Sequence, residues 1–408
     1  MLQVLRVRAY RHLFTAQIVA LLGTGLLTVA LGLLAFELAG SAAGGVLGTA
    51  LTIKMLAYVF VAPVMATLVE HLPTRAVLVA ADAVRAAVAL MLPFIDQAWQ
   101  IYVLVFVLQA ASATFTPTFQ STIPLILPKE RDYTRALSLS RLAYDFESLL
   151  SPLIAAALLT VMSFHALFAG TAAGFVVSAV LVLATTLPAR EPTTPSGHFL
   201  ARTTLGVRVF LRQPSLRGLL ALNLVVASAS AVVLVNTVVY ALDVFGGTSA
   251  DVAVALAYYG AGSMLVALGA PWLLERISDR RLMLTGAWIL PAGLIVAALI
   301  TVSSGSWILL LVVWAVLGAG TSLIITPSAR LLRRAATEGT RAHLYTAQFS
   351  LSHACFLLTY PLAGWAGVLV GQSQAALLLA VLATLGTIAA TKLWPKTVNP
   401  MDKLGTIP

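Results

Sequence analysis

Charge is what this chain of 408 residues has least of. Asp, Glu, Lys and Arg make up 10% of it, against about 25% in a typical soluble protein. So little charge leaves no way of wetting a whole surface, and a sizeable soluble domain is excluded. Cysteine is nearly missing as well. Cys355 is the single one, which rules out an intramolecular disulfide and says little about redox compartment. Neither a G-x-x-x-x-G-K-[ST] phosphate loop nor an H-E-x-x-H pair occurs, so ATP hydrolysis and metalloprotease chemistry have no support. No cofactor and no enzymatic activity are expected.

What the chain does have is long apolar runs. It is 60% hydrophobic, with a mean hydropathy of +0.96. A helix needs about 20 apolar residues to cross a bilayer, and twelve runs meet that length. They cover 13–39, 45–69, 76–95, 100–123, 136–162 and 164–187, then 218–242, 252–274, 282–302, 307–329, 343–370 and 373–394. The expected fold class is an all-α integral membrane protein with twelve transmembrane helices in two pseudo-symmetric six-helix bundles. The first run follows Arg6, Arg8 and Arg11, but it is too long for a signal-peptide core and is kept as a span.

Lys and Arg sit on one side. Counting from an internal N-terminus, the odd-numbered connections (SAAGG, DQAWQ, MSFH, DVFGGTSAD, SSGS and GQSQ) contain none. The even-numbered ones carry Arg75, Lys129, Arg131, Arg135, Arg276, Arg280, Arg330, Arg333 and Arg334. The positive-inside rule then puts both termini in the cytoplasm of a multi-pass protein of the inner (plasma) membrane. The net charge of +10 is therefore read as facing membrane lipid, with no nucleic-acid partner. The longest connection divides the chain into a bundle at 1–187, a cytoplasmic linker at 188–217 and a bundle at 218–408. Within the linker, Val207, Phe210 and Leu211 between Arg208 and Arg212 fit a short helix on the inner leaflet or a solvated connection.

The halves repeat each other. ATLVEHLPTR at Ala66 to Arg75 and PWLLERISDR at Pro271 to Arg280 share Leu68 with Leu273, Glu70 with Glu275, and Arg75 with Arg280. Thr116-Pro117 matches Thr326-Pro327 at the end of the fourth runs, and Arg131 and Arg341 follow at the same spacing. Pro152 and Pro361 interrupt the fifth runs. A duplicated bundle is the simplest explanation.

Few ionisable groups lie inside the runs, and each is costly there, about 2.5–3.5 kcal/mol at mid-bilayer. At ~1.5 Å per residue, Lys54, Asp145, Glu147 and His353 come out near the midplane. Arg141 stands one turn before Asp145 and can pair with it. Two readings of Lys54, Arg141, Asp145 and Glu147 stay open: a buried network that fixes helix packing, or a carboxylate that takes up and releases a proton in each cycle. His353 reads either as a hydrogen-bonded core histidine or as a ligand. Asp82 and Arg85 look structural. Tyr258, Tyr259, Met264 and Trp314 are expected to face other helices or lipid more than a cavity. Gly44 with Gly48, and Gly170 with Gly174, have the spacing of close helix packing.

With these residues in view, the chain resembles the major facilitator superfamily over nearly its whole length. The loop after the second run is similar to that family's G-x-L-x-D-R-x-G-R-R. Ala66 and Pro73 replace its glycines, Leu68 matches, Glu70 replaces Asp, and Arg75 keeps the final base. The fifth run is similar to the exporter motif G-x-x-x-G-P-x-x-G-G through Ser151-Pro152 and the alanines after it. The first half resembles an exporter subgroup that includes enterobactin-exporter-like, macrolide-efflux-like and nickel-resistance proteins, the last being nearest in wording. Their histidine-rich tail is missing here.

The resemblance implies a proton-coupled secondary exporter, by alternating access, of a small toxic solute: an organic compound, a siderophore or a metal ion such as nickel. It implies gating by Glu70, Arg75, Asp82, Arg85, Glu275 and Arg280 and a cavity bordered by the second and fifth helices. Partners would be the solute or ion, protons and lipid, with the chain a monomer. An uptake symporter, or a membrane sensor without transport, is the competing expectation.

Overall fold

The computed structural model describes residues 2–61, 65, 72–187, 207–302, 306–335 and 341–394. They are almost all helical, with no strand among them. Backbone polar groups in hydrocarbon must be satisfied within a segment, and the helix does that. We number the long helices α1 Arg8–Ala39, α2 Ala43–Leu56, α3 Thr74–Met91, α4 Ala98–Ile126, α5 Glu130–Leu159 and α6 His165–Leu183. The second set is α7 Pro214–Ala231, α8 Ser249–Arg276, α9 Asp279–Val302, α10 Trp307–Ala335, α11 Arg341–Leu369 and α12 Gln372–Leu393.

Each of the twelve overlaps one expected span. Nine stretches among the described residues are long and apolar enough to cross a membrane, the first of them, Arg8–Val61, being α1 and α2 together. α5 and α11 fall outside that set. In α5 only Leu150–Leu159 is strongly apolar, because its first half carries the charges. Two helices run on past their expected form through π turns, α2 at Ala57–Val61 and α7 at Val232–Asn236 and Tyr240–Val244. Gly40 and Gly246 end α1 and the α7 segment with φ of +54° and +62°, a left-handed turn that glycine adopts without a Cβ penalty.

Helix neighbours obey one pattern twice. In the first bundle α1 packs on α5 and α6, and α3 packs on α4 and α6. In the second, α7 packs on α11 and α12, and α9 on α10 and α12. Across the boundary α2 meets α11 and α5 meets α8, the two contacts a two-fold axis would exchange. The main apolar core runs through both bundles, from Leu26 to Trp394. Large side chains such as Leu265 and Leu268 face outward, as a lipid-facing surface requires.

One expectation about the linker changes. Residues 207–212 are helical, but Phe210 is fully buried in the protein core and Leu211 is exposed. Gln213 Nε2 donates to the Ala335 carbonyl at the end of α10 at 3.0 Å. This segment therefore docks on the second bundle, because a phenylalanine gains more from a protein pocket than from lipid it can reach only sideways.

Candidate transport site

The boundary between bundles is built from small residues at one end and aromatic ones in the middle. Near the arginine-free end, α2 and α11 touch backbone to backbone. A Cβ placed on Gly48 would lie 2.7 Å from the Tyr360 carbonyl oxygen and 3.0 Å from Gly364 Cα. Trp365 Nε1 donates across to Thr49 Oγ1 at 3.1 Å.

Further along the same contact the π turn of α2 presents Tyr58. Its ring meets His353 of α11 edge-on at 5.9 Å, and Lys54 Nζ lies 5.8 Å from its centroid. His353 Nδ1 is 2.7 Å from the Phe349 carbonyl. A carbonyl only accepts, so Nδ1 is the donor in this bond. The Phe349 ring lies 4.1 Å from His353, and Phe356 packs on Tyr360 at 5.0 Å. Lys54 and His353 are thus brought together through Tyr58, which sequence reasoning missed; a tyrosine in an apolar run carries no periodic signal.

Glu147 takes the other side. It is half-buried on α5 and faces Gly25 of α1, where a Cβ would come within 2.7 Å of Oε1 and overlap the Ser151 side chain. Among the described residues Lys54 acts on it electrostatically, yet neither forms an ion pair within 4.0 Å there. Arg141 and Asp145 lie in α5, but their side chains are outside the described residues, as is all of Glu70. Pro152 and Pro361, each half-buried inside α5 and α11, remove one helix hydrogen bond apiece near this level.

Two small cavities border the site. One of about 30 Å³ is lined by Thr24, Thr28, Leu51, Lys54, Gln109 and Leu234, and so touches both bundles. The other, about 40 Å³, lies in the first bundle among Gln17, Thr24, Arg85, Phe115, Gln120 and Tyr144. Thr24 borders both.

Away from the cavities, the repeated loops act inside their own bundles. Arg75 donates to the Thr185 carbonyl at the end of α6. Arg280 donates to the Trp394 carbonyl at 3.0 Å and the Thr391 carbonyl at 3.2 Å, at the end of α12. These are equivalent contacts, a cation on the free carbonyls of a helix C-terminus. Glu275 is exposed. Asp82 pairs with Arg85 and accepts from Ser178 Oγ at 2.7 Å. Phe115 and Phe175 cover Arg85 at 4.2 and 4.5 Å. Polar pairs repeat too: Ser140 Oγ donates to Gln17 at 3.0 Å between α5 and α1, and Asn223 with Gln348 exchange bonds at 3.2 Å between α7 and α11. Tyr259 bonds with Ser230 and Thr321, and Trp314 is buried against Tyr240, so these two face other helices as expected.

The Major Facilitator Superfamily profile matches residues 13–273 and again 220–406. The chain belongs to the major facilitator superfamily. That family consists of transporters, not enzymes, and the chain is a multi-pass membrane protein of that kind. In this major facilitator chain the fold also agrees with solved transporters of low sequence identity. A bacterial homolog of the human lysosomal transporter Spinster, in an inward-facing and unoccupied conformation, superposes with a TM-score of 0.75 at 13% identity, covering 96% of this chain and 99% of that one. A D-xylose–proton symporter gives 0.72 at 12%, covering 95% and 98%. Among curated proteins, macrolide efflux protein A of Streptococcus pyogenes is 25% identical over 263 residues, 62% of this chain and 64% of that one. The match thus spans less than two thirds of the relative's length. The Enterococcus faecalis protein of the same name is 24% identical over 234 residues, 54% of this chain and 71% of that one.

Proposed function

We propose that this major facilitator protein is a proton-coupled secondary exporter of a small toxic organic solute, working by alternating access. The observation that carries the coupling is a carboxylate and an ammonium near the boundary between bundles, Glu147 set against the notch at Gly25 and Lys54 on a cavity wall, neither of them in an ion pair among the described residues. Charges held in a membrane only to fix packing are expected to pair closely. An unpaired acid is free to alternate between a charged form attracted to Lys54 and a protonated form resting in the notch at Gly25. The macrolide efflux relatives support export. A metal cargo gains no support, since no group of three His, Cys, Asp or Glu side chains able to hold a metal occurs among the described residues.

Arg141, Asp145 and His353 complete the proposed coupling and substrate set. Glu70, Asp82, Arg85 and Glu275 stand as the proposed gating elements, while Arg75 and Arg280 are proposed to hold their loops from within each bundle. The protein would work as a monomer in the inner membrane, both termini cytoplasmic, with bundles at 1–187 and 218–408. In that orientation the Gly48–Gly364 contact seals the external end.

Two experiments test this. In proteoliposomes with an imposed pH gradient, Glu147→Gln should abolish uphill transport of radiolabelled erythromycin while binding changes by less than about threefold. Pumping at the wild-type rate would remove Glu147 from the mechanism. For orientation, Cys355 is first replaced by Ser. A cysteine at Asp96 should then react with an impermeant maleimide in whole cells, and one at Arg334 should not; the reverse labelling overturns the topology.

A further inference from the structure

The repeat separates side chains that the architecture requires from those it does not. Thr387 of α12 occupies the place that Ser178 has in α6, and its hydroxyl donates to the Ala287 carbonyl of α9 at 2.8 Å. Ser178 donates instead to the Asp82 carboxylate of α3. Ala287 and Leu290, both buried, therefore stand in α9 where Asp82 and Arg85 stand in α3. The second bundle closes the same helix contact with two apolar side chains. Since a buried ion pair is often matched or bettered by apolar residues, packing alone does not account for Asp82 and Arg85.

Arg85 is only 5% exposed. Part of its guanidinium is bonded to Asp82, the Phe115 and Phe175 rings pack on it, and its buried Nε has no partner among the described residues. The residue lines the 40 Å³ cavity, which no acidic side chain among the described residues borders. The Gln17 carbonyl oxygen is taken by Ser140 and its amide bonds Tyr144, while the Thr24 hydroxyl donates to the Ala20 carbonyl. The Tyr144 O–H and the Gln120 NH2 remain as donors toward the cavity. At roughly 10–15 Å³ per water, the space suits about three waters or one carboxylate. An arginine with two further donors, and no described acid beside the Asp82 that holds part of its guanidinium, matches an anionic acceptor group.

We propose that this cavity is a subsite for the carboxylate of a transported solute, with Arg85 as its anchoring cation, so that organic acids or zwitterions are among the substrates. The inference rests on the transporter reading. Thr24, shared by both cavities, connects the subsite to Lys54, and the rest of the solute would extend toward the boundary between bundles.

The test uses the full chain in phosphatidylcholine nanodiscs, where no anionic headgroup competes. Benzoate should raise the melting temperature saturably, and the neutral isostere benzamide should not. The double variant Asp82→Ala with Arg85→Leu copies the second bundle's own solution; it should stay monodisperse and bind benzoate at least about tenfold more weakly, the loss of a charge-assisted bond. If that variant does not fold, Gln120→Leu replaces it and should weaken benzoate by about tenfold. No benzoate effect on the wild type, an equal effect of benzamide, or unchanged affinity in the variant used would overturn the proposal. Binding is read without transport, so its failure is distinct from a failure of the pH-gradient experiment.

Discussion

Gly25 shows how much one missing methyl group decides. Glu147 and Ser151 both occupy the space a side chain would need there, and the Ser151 hydroxyl is buried without a hydrogen-bond partner among the described residues. Gly25→Ala should therefore destabilise by about 1–3 kcal/mol, the usual result of overpacking, seen as a lower melting temperature in detergent. Gly32→Ala, where a Cβ meets only ordinary contacts at 3.8 Å, is the matched control and should change little. Ser151→Ala should leave the melting temperature unchanged or raise it, because the lost hydroxyl made no hydrogen bond. A wild-type melting curve for Gly25→Ala would mean that α1 and α5 yield more readily than their packing implies.

At the scale of elements, the two loop arginines behave as staples between the start of one helix and the end of another. Arg75 ties α3 to α6, and Arg280 ties α9 to α12. Arg75→Ala and Arg280→Ala should each lower stability by about 1–3 kcal/mol through carbonyls left without a charged donor. Both should leave the distance between bundles unchanged in spin-label measurements. A shift in that distance would instead make these arginines part of the gate between bundles.

The twelve helices were legible because apolar length and turn residues such as Gly40 and Gly246 act locally, and local signals survive in a sequence. The repeat was legible for the same reason. The staples were not, since an arginine's partner here is a backbone carbonyl far along the chain, which no side-chain pattern marks. Lys54, Glu147 and His353 could be found as rare ionisable groups in apolar runs. Tyr58, Gln17 and Tyr144 could not, because a neutral polar residue at a helix boundary looks the same whether it lines a cavity or faces lipid. The pattern around Phe210 fits a helix on the inner leaflet or a solvated connection, and neither is what the structure shows, because an amphipathic pattern says that one face is apolar, not what covers it.

For the whole molecule, the two bundles touch backbone to backbone where Gly44 and Gly48 meet Gly364. Gly48→Val would wedge α2 from α11 at the arginine-free end. Inter-bundle distances measured there should lengthen, the population open at that end should grow, and transport should fall by about tenfold or more because one half of the cycle is disfavoured. Unaltered distances would show that this contact opens without resistance.

The docking of Phe210 and Gln213 onto the second bundle has a mechanical consequence. Between residue 187 and the docked segment that starts at residue 207, the chain counts 19 residues. At no more than about 3.3–3.6 Å per residue, a connection of that length can reach on the order of 60 Å, enough to let one bundle rock against the other on the alternating-access reading. The covalent tether therefore neither drives nor limits the stroke. Its work is done once, at assembly, by keeping two halves at high local concentration, and a nick between them would cost the finished transporter little.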